Sequence, residues 1–101
     1  MVKKMMPDVN VTITCKKGGC KVHPSVILVH PDQKIVFQKP AAGTVYVQVS
    51  EIGRAFKFKK QKHSLRIPRK TRMGIFPYAV FCYKSKAFCT GSSMPIIIVP
   101  R

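Results

Sequence analysis

Hydrophobic and polar residues alternate in short stretches along most of this chain. Val9, Val11 and Ile13 fall on one side of an extended segment and Asn10, Thr12 and Thr14 on the other, so 9–14 reads as a half-buried strand. Cys15-Lys-Lys-Gly-Gly-Cys20 then turns the chain, with Gly18 and Gly19 free to take positive φ. An apolar strand runs from Ser25 to Val29. Pro31-Asp32-Gln33 makes a turn whose proline sets φ at its start, and Lys34 to Phe37 is the next strand. Lys39 to Gly43 ends it, and Thr44 to Val49 follows as a strongly β-forming run, with Val45, Val47 and Val49 opposite Tyr46 and Gln48. Glu51-Ile52-Gly53 is the next break.

From Arg54 to Arg72 the chain carries nine Lys or Arg and no acid. If 55–59 is extended, Phe56 and Phe58 point one way and Lys57 and Lys59 the other; Leu65 and Ile67 repeat the arrangement around Arg66. The aromatic residues are then expected in the core and the cations on a solvated face. A stacking platform for single-stranded nucleic acid needs rings and cations on one exposed face, which this alternation disfavours. After the Pro68 and Arg69–Arg72 turn, two apolar runs, Ile75 to Phe81 and Pro95 to Val99, flank a polar loop carrying Cys82 and Cys89, as two antiparallel strands with a long connection would. The sum is an all-β chain of about eight strands with short linkers in a single domain, 1–101, whose spacing suits a two-sheet Greek-key β-sandwich.

The closing segment, Gly74-Ile-Phe-Pro-Tyr-Ala-Val-Phe-Cys82, a loop with Met94, and an aliphatic last strand, resembles the C-terminal signature of cupredoxins, the small blue-copper β-sandwiches. Upstream, Pro24 to Phe37 looks like the paired second and third strands of that family, with Pro31-Asp32-Gln33 where the family's turn usually reads Gly-Asp. The resemblance extends from Asp8 to Val99 and implies a cupredoxin-like fold. It also implies a place for copper, which needs two imidazoles and a thiolate in a plane with a weak axial sulfur. Cys82 stands where the thiolate would be, and Met94 is a candidate axial ligand. The family's two histidines are missing: none occurs in Tyr83 to Phe88 or in Gln38 to Ser50, and His23, His30 and His63 lie elsewhere. The expectation is a sandwich that keeps the fold without the blue-copper centre, since fold and function separate readily.

Charge adds a second theme. Nineteen Lys and Arg against Asp8, Asp32 and Glu51 give a formal net charge of +16. A field of that sign attracts polyanions such as nucleic acid from a distance and opposes self-association, so a monomer is expected. Arg54, Lys57, Lys59, Lys60, Lys62, Arg66, Arg69, Lys70 and Arg72 are the candidate anion-binding residues. No apolar run reaches the ~20 residues of a membrane span. Met1 to Met6 has a basic start but no apolar core behind it, since Pro7 and Asp8 follow, so no signal peptide is expected.

The four cysteines form a C-x4-C pair, Cys15 and Cys20, and a C-x6-C pair, Cys82 and Cys89. Under the cupredoxin resemblance all four gather at one end of the sandwich. Two local disulfides within the pairs head the readings, with cross-pairing equally permitted because four cysteines allow three connectivities; disulfides would point to a periplasmic or secreted setting. A zinc site of Cys15, Cys20, Cys82 and Cys89 ranks second. A redox or copper-carrying thiol ranks third, with Lys84 and Lys86 placed to depress the pKa of Cys82. Otherwise no cofactor is expected. The three histidines read as surface residues. Three scattered carboxylates supply no acid/base pair, and Gly91-Ser92-Ser93 reads as a turn rather than a nucleophile elbow, so no enzyme is expected. The reading is therefore a non-enzymatic cupredoxin-like sandwich that binds an anionic partner through its basic face. The alternative is a metal-binding or thiol-redox domain built on the cysteines.

Overall fold

The first strand, β1 (Val9–Lys16), follows the predicted alternation: Val11 and Ile13 are fully buried while Asn10 and Thr12 face solvent. The computed structural model of the chain describes residues 7–16, 19–39, 43–89 and 94–100. Met1–Met6, Gly18 of the expected 18–19 turn, 40–42 at the end of the fourth strand and Gly91-Ser92-Ser93 lie outside the described residues. Among the described residues there are eleven strands, three more than expected.

Among the described residues three sheets make up the body. In the first, β2 (Gly19–His23) turns back on β1 as a hairpin, β1 runs parallel to β4 (Lys34–Gln38), and β4 pairs antiparallel with β7 (Lys62–Arg66). The second has the order β10 (Ala87–Phe88), β9 (Ala79–Cys82), β5 (Val45–Val49), β6 (Arg54–Phe58), all antiparallel. The third places β11 (Ile96–Val99) between β3 (Val26–Leu28), which is parallel to it, and β8 (Gly74–Pro77), which is antiparallel. Side chains from all three sheets meet in one core: Val11, Ile35 and Phe37 from the first, Val47 and Val80 from the second, Ile97 from the third. Period-two alternation is the physical cause, because each strand has one face to bury and one to leave in water. The architecture is an all-β sandwich.

Two expectations need correction. Residues 75–81 do not form one strand beside the last one. β8 does pair with β11, but the chain changes sheets at Pro77-Tyr78, and β9 pairs with β5 and β10 instead. Proline has no N–H for a ladder, so a strand break there costs little. Nor are the strands on either side of Pro31-Asp32 hydrogen-bonded to each other: β3 lies in the third sheet and β4 in the first. The turn between them is pinned to the end of β7, with Asp32 N–H donating to the Ile67 carbonyl (2.8 Å) and Ile67 N–H to the Gln33 carbonyl (3.0 Å). Asp32 takes φ 70°, a left-handed conformation that Asp tolerates better than most residues. Sheet crossing, not hairpin closure, is what this turn achieves.

The expected break at Glu51-Ile52-Gly53 is a 3-10 turn, Ser50–Ile52, closed by Gly53 at φ 74° donating to the Ser50 carbonyl at 3.0 Å. It delivers the chain straight into β6, so β5 and β6 become neighbours and the basic segment starts on a sheet edge.

Candidate functional site

The basic segment runs along two sheet edges, since β6 ends the second sheet and β7 ends the first. Its apolar members turn inward: Phe58, Leu65 and Ile67 are buried and Phe56 half-buried. Its cations turn outward, and Arg54, Lys57, Lys59, Lys60, Lys62, Arg66, Arg69, Lys70 and Arg72 are all exposed. Two of them already face an acid. Arg66 and Arg69 approach the Asp32 carboxylate at 3.6 and 3.7 Å, and the Arg66 guanidinium also donates to the Asp32 carbonyl at 2.7 Å.

Under this ridge lies an unexpected lysine. Lys39 is 3% exposed, with its Nζ donating to the Lys59 carbonyl at 2.7 Å and lying 5.8 Å from the centroid of the Phe58 ring. Burial lowers its pKa, because the charged form loses solvation there. His63 is not a plain surface residue either. Its ring stacks on Phe56 at 4.2 Å between centroids and on Phe58 at 5.4 Å, bridging the two edges beneath the cations.

The four cysteines do gather at one end of the sandwich. Cys15 and Cys20 are directly opposite in the β1–β2 register and both point toward the second sheet, where Cys82 ends β9 and Cys89 follows β10. The disulfides are Cys15–Cys82 and Cys20–Cys89, and no cysteine is free. Disulfides are thus present as expected, and of the connectivities left open the local pairing does not form while one cross-pairing does. The reason is directional: each inward-facing cysteine meets a partner across the core, with Cα atoms 6.3 and 4.3 Å apart, within reach of a disulfide. Ser85 reinforces the junction by donating its hydroxyl to the Gly19 carbonyl at 2.9 Å, with the Cys82 sulfur 3.6 Å away. The sulfurs of Cys15, Cys20 and Cys82 all lie within 4.8 Å of one another.

A largely apolar groove of about 630 Å³ opens beside this pole, lined among others by Gln48, Tyr78, Phe88 and Met94. Tyr78 is 4% exposed, and its hydroxyl is buried with no hydrogen-bond partner among the described residues. Burial raises its pKa well above the ordinary phenol value. Sequence patterning gave no hint of Lys39, of Tyr78, or of the stacked His63. Each depends on which strands become neighbours.

No protein-family model matches the chain, and no curated protein matches it. Solved structures do. An oxidized mutant of amicyanin superposes with a TM-score of 0.52 at 16% identity, over 88% of this chain and 80% of that one. A reduced Cu(I) form, at pH 4, of another amicyanin mutant gives 0.52 at 15% identity, over 96% and 86%. The solution structure of a copper binding protein in its apo form gives 0.51 at 15%, over 96% and 92%. The fold is cupredoxin-like. Within this cupredoxin-like frame a blue-copper centre does not fit the residues present. The Cys82 sulfur is bonded to Cys15, and His63 is on β7, stacked against Phe56 and Phe58. His23 lies at the far end of β2 opposite Thr12, and Met94 is 64% exposed. A thiolate and two imidazoles cannot converge from those positions.

Proposed function

We propose that this cupredoxin-like domain is a non-enzymatic binding module that engages an anionic partner through the Arg54–Arg72 ridge. One observation carries the reading: all nine cations of the segment are exposed, on the edge strands β6 and β7 and the turns that follow them, while Phe58, Leu65 and Ile67 between them are buried. A dense array of exposed positive charge releases counterions from a polyanion, which makes binding strongly salt-dependent. The test is a salt titration of heparin and nucleic-acid binding. Affinity falls steeply with salt, and replacing Lys57, Lys59, Lys60 and Lys62 with Glu removes it. Binding no tighter than that of an unrelated protein of equal charge rejects the proposal.

A second reading has its own observation in the sulfur cluster. Reduction would free four thiols at one pole, three of them with sulfurs already within 4.8 Å of each other, and soft thiolates suit zinc or Cu(I). Elemental analysis with a free-thiol count on anaerobically purified protein decides it: bound metal with four reactive thiols supports this reading, and intact disulfides without metal reject it.

A further inference from the structure

Strand pairing in the second sheet does something that alternation within one strand cannot. On its outer face Phe88 stands opposite Phe81, Phe81 opposite Tyr46, and Tyr46 opposite Lys57, one row across all four strands. The intervening residues, Val45, Val47, Val80 and Cys82, are buried beneath. Tyr83, next in the chain after β9, adds a fourth ring. Phe88 is 65% and Tyr83 47% exposed, and both meet Phe81 edge-to-face, with centroids 5.1 and 5.3 Å apart.

Cations frame this cluster on both sides. Lys57 lies in the row itself, with exposed Lys59 two residues further on, and exposed Lys84 and Lys86 sit in the turn between β9 and β10. No strand of this sheet contains an acid. Beside Phe88 the groove described above opens, with Gln48 on its wall offering an amide donor and acceptor.

We propose that this face binds single-stranded nucleic acid, its bases stacking on Phe88, Tyr83, Phe81 and Tyr46 and its phosphates lying against Lys57, Lys59, Lys84 and Lys86. The proposal rests on the anion-binding reading, names the class of anion and extends the site from the ridge onto the sheet. The rings are what select the ligand. Heparin or an acidic polypeptide would use the cations and leave the rings idle, and a duplex keeps its bases stacked on each other. Unpaired bases present π-faces that solvent-exposed rings can cover, whatever the sequence, in sites of roughly 4–16 nucleotides. Rings and cations on one face are the combination that β6 alone lacks, because its own aromatics, Phe56 and Phe58, point inward.

The experiment measures binding of oligothymidylate and oligouridylate of about ten nucleotides, of a DNA duplex and of heparin, at two salt concentrations, by fluorescence anisotropy. Phe88→Ala and Tyr83→Ala alter exposed rings, and Phe81→Leu keeps the half-buried packing; thermal melting confirms that each variant is folded. Each ring removed is expected to weaken single-strand binding roughly tenfold while heparin and duplex change by less than about twofold. The tighter of the two oligomers tells DNA from RNA, and either result supports the proposal. Ring variants that lose all ligands equally, or none, overturn it and leave the anion-binding reading standing. Polyglutamate competing as well as oligothymidylate, with no response to the ring variants, assigns the face to an acidic polypeptide and also overturns it. If no polyanion binds and the lysine-to-glutamate protein behaves as the parent, both readings fall.

Discussion

Cys15 and Cys20 face each other across the β1–β2 hairpin with their sulfurs 3.9 Å apart, yet each is bonded to a cysteine on the far side of the core. The two bridges span 67 and 69 residues of sequence, whereas local bridges would have closed loops of only a few residues. Long loops lose more chain entropy in the unfolded state, so the observed pairing stabilises more. The first bridge is worth about 4 kcal/mol on the chain-entropy estimate, and the second less, because with the first in place it closes only the short ring through 15–20 and 82–89.

Reduction breaks both bridges and should therefore lower the melting temperature by roughly 30 °C or more, given a shift of about 4–8 °C per kcal/mol for a domain of this size. Differential scanning calorimetry with and without reductant measures it. A Cys15→Ser/Cys82→Ser protein should melt well below the parent but above the fully reduced protein. Equal melting of oxidised and reduced protein would show that the bridges do not constrain the unfolded chain.

Tyr78 holds a buried hydroxyl with no partner among the described residues, and leaving such a group unpaired costs about 1–3 kcal/mol. Tyr78→Phe should raise stability by up to that amount at neutral pH, read from urea unfolding. Because burial holds the phenol protonated in the folded state, the unfolded chain releases its proton first. Stability from this group is full below pH 10.0, the ordinary phenol value, and is lost as pH rises above it. The Phe variant should lack that alkaline decline.

Lys39 has the opposite slope. Burial lowers its folded pKa, so between that value and the ordinary 10.5 the unfolded chain holds the extra proton and stability rises with pH. Lys39→Met should flatten the rise, seen as a smaller change in urea midpoint between pH 8 and the ordinary lysine pKa of 10.5. A parent protein with no such rise would show that the ammonium is as well accommodated in the fold as in water.

Asp32 draws two of the nine ridge cations, Arg66 and Arg69, through exposed pairs that contribute about 0–1 kcal/mol to stability. Asp32→Asn keeps a side chain that tolerates the left-handed turn and removes the negative charge facing both guanidinium groups, while Arg66 keeps its bond to the backbone carbonyl. Melting should change by only a few degrees while heparin affinity rises and its salt dependence steepens. Unchanged affinity would put Arg66 and Arg69 outside the binding surface.

Phe37 is fully buried and touches both Phe56 and Tyr78, at ring separations of 5.7 and 6.0 Å. Phe37→Ala should cost about 3–5 kcal/mol, enough to unfold much of the protein, and Phe37→Leu distinctly less. Urea titration of both tests whether this ring joins the two main sheets.

Much of this was legible along the chain because burial on one face imposes period-two alternation, which a single strand records by itself. Val11 and Ile13 on β1, Val45, Val47 and Val49 on β5, and Leu65 and Ile67 around exposed Arg66 all sit where their alternation put them. The exposure of the basic ridge was legible for the same reason, and the gathering of the cysteines followed from the cupredoxin resemblance. What the chain could not write down is which strands become neighbours. The sheet change at Pro77-Tyr78, the parallel pairing of β3 with β11 and the crossed disulfides depend on contacts between residues far apart in sequence. So does the row that sets Lys57 beside Tyr46, Phe81 and Phe88. Alternation tells each residue whether it faces in or out; only the register between strands decides what lies next to it.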